Sequence, residues 1–163
     1  MKIAIISDTH DSLVNIKRAL DIAVEKKCNV LIHCGDICSP ETLAYIVGHW
    51  RGELHYCLGN MDSADFASIG DTMGERVHFH GEGVSEVDVG GRRIAFQHYP
   101  EIARGSASSD LYDAVFYGHT HKRHSEYIGE TLLANPGNVC GVIESPGFAV
   151  YRTDENDLIH FDL

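Results

Sequence analysis

The sequence predicts one α/β domain spanning residues 1–163, with two sheets packed face to face and helices outside them. Three observations predict it. Apolar runs of strand length alternate with helical periodicity through the first half. Short strand signals broken by Gly, Pro and Asn fill the second half. No linker, internal repeat or low-complexity stretch separates the halves.

Lys2 to Ser7 is an apolar run, after which Leu13, Ile16, Leu20 and Val24 recur at helical spacing with Lys17, Arg18, Asp21 and Glu25 between them. Val30 to His33 is a second strand. Ser39-Pro40 is then an N-cap with proline at the first helical position, opening a helix to about Gly48. Glu53 to Leu58 is a third strand, and strands joined through helices imply parallel pairing. In the second half, Val84 to Val89 alternates apolar with polar residues and turns through Gly90-Gly91 into Arg93 to Gln97, a hairpin signal. Asp113 to Tyr117, Thr131 to Ala134, Phe148 to Arg152 and Leu158 to Phe161 add short strands.

Composition excludes several classes. With 163 residues, 44% hydrophobic and 23% charged, the chain is an ordinary globular domain that forms a core without disulfide staples. Thirteen Lys and Arg against 24 Asp and Glu give a net charge of -11, which repels phosphate backbones, so general nucleic-acid binding is not expected. The first apolar run meets Asp8 too soon for a signal peptide or membrane span, and a cytoplasmic protein without a membrane partner is expected. Cys28, Cys34, Cys38, Cys57 and Cys140 are odd in number and sit in or beside apolar runs, the habit of buried structural thiols. Cys34 and Cys38 form a C-x3-C pair, but no second pair with zinc-ribbon spacing follows.

Polar, metal-capable residues fall just past the C-terminal ends of the predicted strands, where open α/β sheets place their ligand crevice. Asp8-Thr9-His10 follows the first strand, Gly35-Asp36 the second and Gly59-Asn60-Met61-Asp62 the third. His98 follows the hairpin, and Gly118-His119-Thr120-His121 the run at 113–117. A single Asp or His at a strand end is ordinarily a cap or a satisfied polar residue. Seven such residues, Asp8, His10, Asp36, Asn60, His98, His119 and His121, supply the mixed N and O donors that two divalent cations about 3.5 to 4 Å apart require. In D-x-H and H-x-H, alternate residues project the same way where the backbone stays extended, and glycines at 35, 59 and 118 permit tight turns.

D-x-H, G-D, G-N-x-D, a later His and G-H-x-H, in that order from Asp8 to His121, resemble the calcineurin-like metallophosphoesterases. The short length, the early first motif and Asn135-Pro136-Gly137 are similar to the small prokaryotic phosphodiesterase branch. The resemblance implies a four-layer α-β-β-α sandwich. It puts Asp8, His10, Asp36 and His121 on one metal and Asp36, Asn60, His98 and His119 on the other, with Asp36 bridging. These seven would be both metal ligands and the catalytic set, and a hydroxide held between the ions would attack phosphorus in line with the leaving group. The implied cofactors are two divalent ions, Mn²⁺ foremost, with Fe, Co, Ni or Zn as alternatives. The implied partners are a small phosphate-ester substrate and, as in small members of the family, further copies of the chain in a dimer or tetramer.

Two departures matter. Many family members carry a histidine after the Asn of G-N-x-D, assigned to leaving-group protonation or to phosphate contact; here Met61 fills that position and can do neither. Losing a general acid costs about 10² to 10⁴-fold, most for poor leaving groups, which favours activated or diester substrates over alkyl monoesters. Tyr99 follows His98 where glycine is frequent, adding bulk beside the metals. The competing readings are a phosphomonoesterase of the same family and a non-catalytic scaffold. A eukaryotic trafficking scaffold of the retromer complex shares the fold, but with metal-site histidines partly replaced. His33, His49, His55, His78, His80, His124 and His160 are read as structural or exposed, and His124, three positions after His121, is the one of them within reach of the substrate. Lys122 and Arg123 are a solvated pair, and Asp62 a loop or supporting group.

Overall fold

The computed structural model describes residues 1–163 apart from 64, 67, 68, 70, 71 and 82. Strands β1 (Lys2–Ile6), β2 (Val30–His33), β3 (Glu53–Tyr56) and β4 (Val77–Phe79) pair in parallel, and β10 (Gly147–Arg152) and β11 (Asp157–Asp162) join antiparallel on the other side of β1. This gives a six-stranded sheet ordered β11-β10-β1-β2-β3-β4. The second sheet is ordered β5-β6-β7-β9-β8, from β5 (Ser85–Val89), β6 (Arg92–Phe96), β7 (Ala114–Phe116), β8 (Arg123–Ile128) and β9 (Thr131–Pro136).

Strand alternation sorts the side chains into layers. Ile3, Ile5, Ile32 and Cys57 of the first sheet meet Ile94, Phe96, Phe116 and Leu132 of the second in a core between the sheets. Ala4, Ile6, Leu31, Leu54 and Tyr56 point the other way, onto α1 (Leu13–Glu25) and α2 (Pro40–His49). Helix α1 buries Ile16, Ala19, Leu20 and Ala23, the one-face spacing of a 3.6-residue period. Helix α2 starts where Ser39 Oγ accepts the Thr42 N–H at 3.2 Å, a cap of about 1 kcal/mol, with Pro40 at the first position. On the outer face of the second sheet, α3 (Pro100–Ala107) sets Ala103 and Ala107 against Ala95, Val115 and Leu133. The four layers α-β-β-α are complete.

Three elements carry no pattern that the sequence reading registers. Strand β4 is three residues long. Helix α3 buries only alanines, so it has almost no apolar stripe. Strand β8 is an edge strand of alternating exposure in Arg-His-Ser-Glu-Tyr-Ile, held by register against β9 rather than by hydrophobicity. All five cysteines are free thiols. Among the described residues, no helix is long and apolar enough to cross a membrane.

Candidate metal centre

The ends of β1, β2, β3, β6 and β7 converge on one edge of the sandwich, and the loops that follow them bring all seven sequence-predicted residues together. Asp8 is fully buried, and its carboxylate accepts the His119 backbone N–H at 3.1 and 3.2 Å. His121 Nε2 lies 3.3 Å from Asp8 Oδ1 and 3.3 Å from His10 Nε2. Asp36 Oδ2 lies 3.5 Å from His10 Nε2 and 3.5 Å from His98 Nε2. His98 Nε2 in turn faces Asn60 Oδ1 at 3.0 Å and His119 Nδ1 at 3.3 Å, and His119 Nδ1 lies 2.9 Å from that same Asn60 oxygen. The donors thus form two groups that meet at Asp36.

The backbone achieves this differently from the extended D-x-H and H-x-H expected. Asp8, His10, His119 and His121 have φ of 52°, 39°, 69° and 59°, and Asp36 has 61°, all in the left-handed region that costs non-glycine residues of order 1–3 kcal/mol each. The convergence therefore comes from turned backbone, and neighbouring hydrogen bonds hold it. Thr9 and His10 both donate their N–H to Asp36 O, at 3.0 and 3.2 Å. Asp62 Oδ2 accepts from the N–H of Asp36 and of Gly59, both at 2.8 Å, while Oδ1 accepts the Cys38 N–H at 2.7 Å. Asn135 Nδ2 donates to Gly118 O at 2.8 Å, and Asn138 Nδ2 to His121 O at 3.0 Å.

Glycine serves close approach more than turning. A Cβ on Gly59 would overlap Asp36 Oδ1 and lie 2.6 Å from Asp36 N; one on Gly118 would overlap Ser7 Oγ and lie 2.8 Å from Asp8 Oδ2. Of the three glycines, Gly35 alone has a positive φ, 92°.

Protonation follows from the second partner of each ring. His98 Nδ1 is 2.8 Å from Cys34 O and His121 Nδ1 is 3.2 Å from Val142 O; each donates N–H there, which leaves Nε2 as a lone pair aimed into the site. Those lone pairs face carboxylate, amide and imidazole acceptors, an arrangement that calls for a proton or a cation at its centre. Burial pushes the Asp8 carboxyl above its ordinary range. Burial pushes Asp36 up too, but the His98 ring, the Met61 N–H at 2.8 Å and the nearby His10 outweigh it and hold Asp36 below the usual range. Burial pushes His98 down, and Asp36 more than offsets it, so His98 ends raised. Donor atoms on one cation at about 2.0–2.2 Å lie roughly 3 to 3.6 Å apart, and the separations of 2.9 to 3.5 Å fit that spacing.

Residues around the centre sharpen the picture. Cys38 and Cys140 are not distant core thiols. Cys38 Sγ is 3.3 Å from His10 Nδ1, and Cys140 Sγ is 3.8 Å from His121 Nδ1. Burial, with Asp62 and Asp11 nearby, pushes the Cys38 thiol up to about 12, so it stays protonated. The C-x3-C spacing held no sign of this, because Cys34 is buried between the sheets. Met61 is 56% exposed, and its backbone N–H donates to Asp36 Oδ1. The Tyr99 ring packs against His98 and His119, each with centroids 5.2 Å apart, beside a cleft of about 330 Å³ lined also by Asn60, Gln97 and Leu58. Arg123 points away to Asp162, and His124 binds Tyr117 Oη at 3.0 Å, so neither faces the centre.

An α-β-β-α sandwich with buried carboxylates and imidazoles gathered at its strand ends defines a metallohydrolase class. The model of the calcineurin-like phosphoesterase superfamily domain matches residues 1–156. The chain belongs to that superfamily and is, with it, a phosphoric ester hydrolase whose family uses divalent metal ions. It is 30% identical to Phosphodiesterase MJ0936 of Methanocaldococcus jannaschii over 96% of both chains. Its fold superposes on a structurally and functionally characterised archaeal phosphodiesterase with a TM-score of 0.90, 28% identity and full coverage of both chains. A Vps29 single mutant (D62A) from Entamoeba histolytica shares the fold alone, with a TM-score of 0.69, 18% identity, and 100% of this chain and 99% of that one covered.

Proposed function

We propose that the chain is a dinuclear metal-dependent phosphodiesterase of a small organic or nucleotide-like phosphodiester. Asp8, His10, Asp36 and His121 would hold one cation and Asp36, Asn60, His98 and His119 the other. The observation that carries this is Asp36, whose Oδ2 is equidistant from His10 and His98, one in each donor group. Divalent cations bound there would supply Lewis-acid neutralisation of the phosphoryl oxygens and a lowered pKa for water. Mn²⁺ is the ion proposed, in a cytoplasmic setting.

The chain's own groups do the rest. Asp62, Asn135 and Asn138 fix the loops, so the donors need no rearrangement to bind charge. The backbone carbonyls of Cys34 and Val142 hold His98 and His121 in the tautomer with Nε2 free. Tyr99 walls the cleft beside His98 and His119. Met61 offers no proton to the leaving group, so catalysis favours esters whose leaving oxygen departs without one.

The test is a side-by-side assay of metal-stripped protein titrated with Mn²⁺ on an aryl phosphodiester and the matching monoester. Metal-dependent turnover of the diester with little of the monoester is expected. Equal or greater monoester turnover would make it a general phosphatase. No turnover of either with metal bound would favour a binding scaffold.

A further inference from the structure

A second cluster of imidazoles lies away from the strand-end loops, on the edge of the first sheet. Strands β3 and β4 are parallel neighbours with His55 in register with His78. Leu54, Tyr56, Val77 and Phe79 turn toward the helices, so Glu53, His55, His78 and His80 share the opposite face, toward the second sheet. There the His55 and His78 rings stack at 4.6 Å and 17°, and His80 meets Phe96 edge-on at 5.0 Å. The side chain of His55 is 8% exposed, and among the described residues its Nε2 has no hydrogen-bond partner. Its Nδ1 sits 3.1 Å from His80 Nε2. Glu53 Oε2 is 3.7 Å from His55 Nε2, too far for a hydrogen bond.

We propose that Glu53, His55 and His78 form a second cation site, selective for a zinc-class transition-metal dication, distinct from the strand-end centre. One donor atom from each lies within 4.8 Å of the others. If His55 donates its Nδ1–H to His80, its Nε2 lone pair is free on the side where Glu53 Oε2 lies, the way ligating histidines are oriented. An ion there gives a partner to a buried atom that has none among the described residues. Two imidazoles and one carboxylate suit Zn²⁺, Ni²⁺ or Cu²⁺ more than Mg²⁺ or Ca²⁺, which take oxygen donors. Burial, together with His78 and His80, pushes the His55 imidazole down to about 4, the neutral form a metal binds. Edge position supplies the entry path: β4 is the last strand of its sheet, His78 is half-buried and the Glu53 side chain is 58% exposed. The half-buried His78 ring turns out of its stack on His55, and the exposed Glu53 changes rotamer, to close the three donors on one ion.

The test is equilibrium dialysis of metal-stripped protein against Zn²⁺, counting bound metal in the wild type, Glu53→Gln, His78→Gln and Asp36→Asn. His78→Gln is expected to bind one equivalent fewer, Glu53→Gln to hold that equivalent at least about tenfold more weakly, and both to keep wild-type turnover with Mn²⁺. Asp36→Asn should retain the edge equivalent, so failure of the phosphodiesterase reading leaves this result intact. Unchanged stoichiometry and affinity in both edge variants would overturn the site. Because Glu53 is exposed, its variant decides the matter even where His78→Gln fails to fold.

Discussion

Two histidine-rich regions of this molecule aim their rings by different means. At the strand ends, His10, His119 and His121 stand on left-handed backbone, and side chains from other loops hold them there. At the sheet edge, parallel register sets His55 beside His78 on unstrained strands, and the His80 ring holds His55 Nδ1 at 3.1 Å. The loop region thereby gathers donors from five strand ends around one carboxylate, a density that two adjacent strands do not reach. Its cost is backbone strain of order 1–3 kcal/mol per residue, offset by bracing that the edge does not need.

The sharpest break between the regions is Asp36→Asn. Removing the charge shared by both donor groups should lower phosphodiester turnover by about a thousandfold or more while leaving the edge cluster undisturbed. Steady-state kinetics with saturating Mn²⁺ read this, and retained activity would sink the shared role. Met61→His comes next: an acid at that exposed position should raise monoester turnover by about a hundredfold relative to diester. An unchanged substrate ratio would separate the diester preference from Met61.

Asp62→Ala probes the bracing itself. It strips acceptors from the N–H groups of Asp36, Cys38 and Gly59, so Mn²⁺ affinity should fall by about 10 to 100-fold by titration, with edge-site Zn²⁺ affinity unmoved. A stability effect that leaves the metal contacts aside concerns His33, beneath the loops. Its Nδ1 accepts the Gly35 N–H at 3.2 Å and its Nε2 lies 3.1 Å from Thr9 Oγ1, so only the neutral ring fits. Burial pushes it down to about 3. Because the folded value lies below the unfolded one of about 6.5, the unfolded chain binds the extra proton. The contribution of His33 is complete above pH 6.5 and is lost as pH falls toward 3, at about 1.4 kcal/mol per pH unit. Urea unfolding of metal-free protein across that range should show a shallower pH slope in His33→Gln.

What the sequence made legible follows chemistry and periodicity. Leu13 to Val24, the Ser39-Pro40 cap and the Gly90-Gly91 hairpin carry local signals strong enough to survive folding, and each appears where its pattern lies. The convergence of the seven polar residues was legible because their motifs follow strand ends, where such sheets gather their loops. Their backbone was not, since left-handed φ at Asp8 or His119 leaves no mark in residue type. Cys38, Cys140 and Asn138 were missed because their roles are contacts across loops distant in sequence. His55 and His78 read as structural because only the register of β3 with β4 sets them side by side.

The most direct measurement is an anomalous-difference map from crystals grown with Mn²⁺. Two peaks about 3.5 to 4 Å apart, flanking the Asp36 carboxylate between His10 and His98, are the predicted result. A single peak, or peaks that leave Asp36 outside the coordination sphere, would contradict the shared-carboxylate centre.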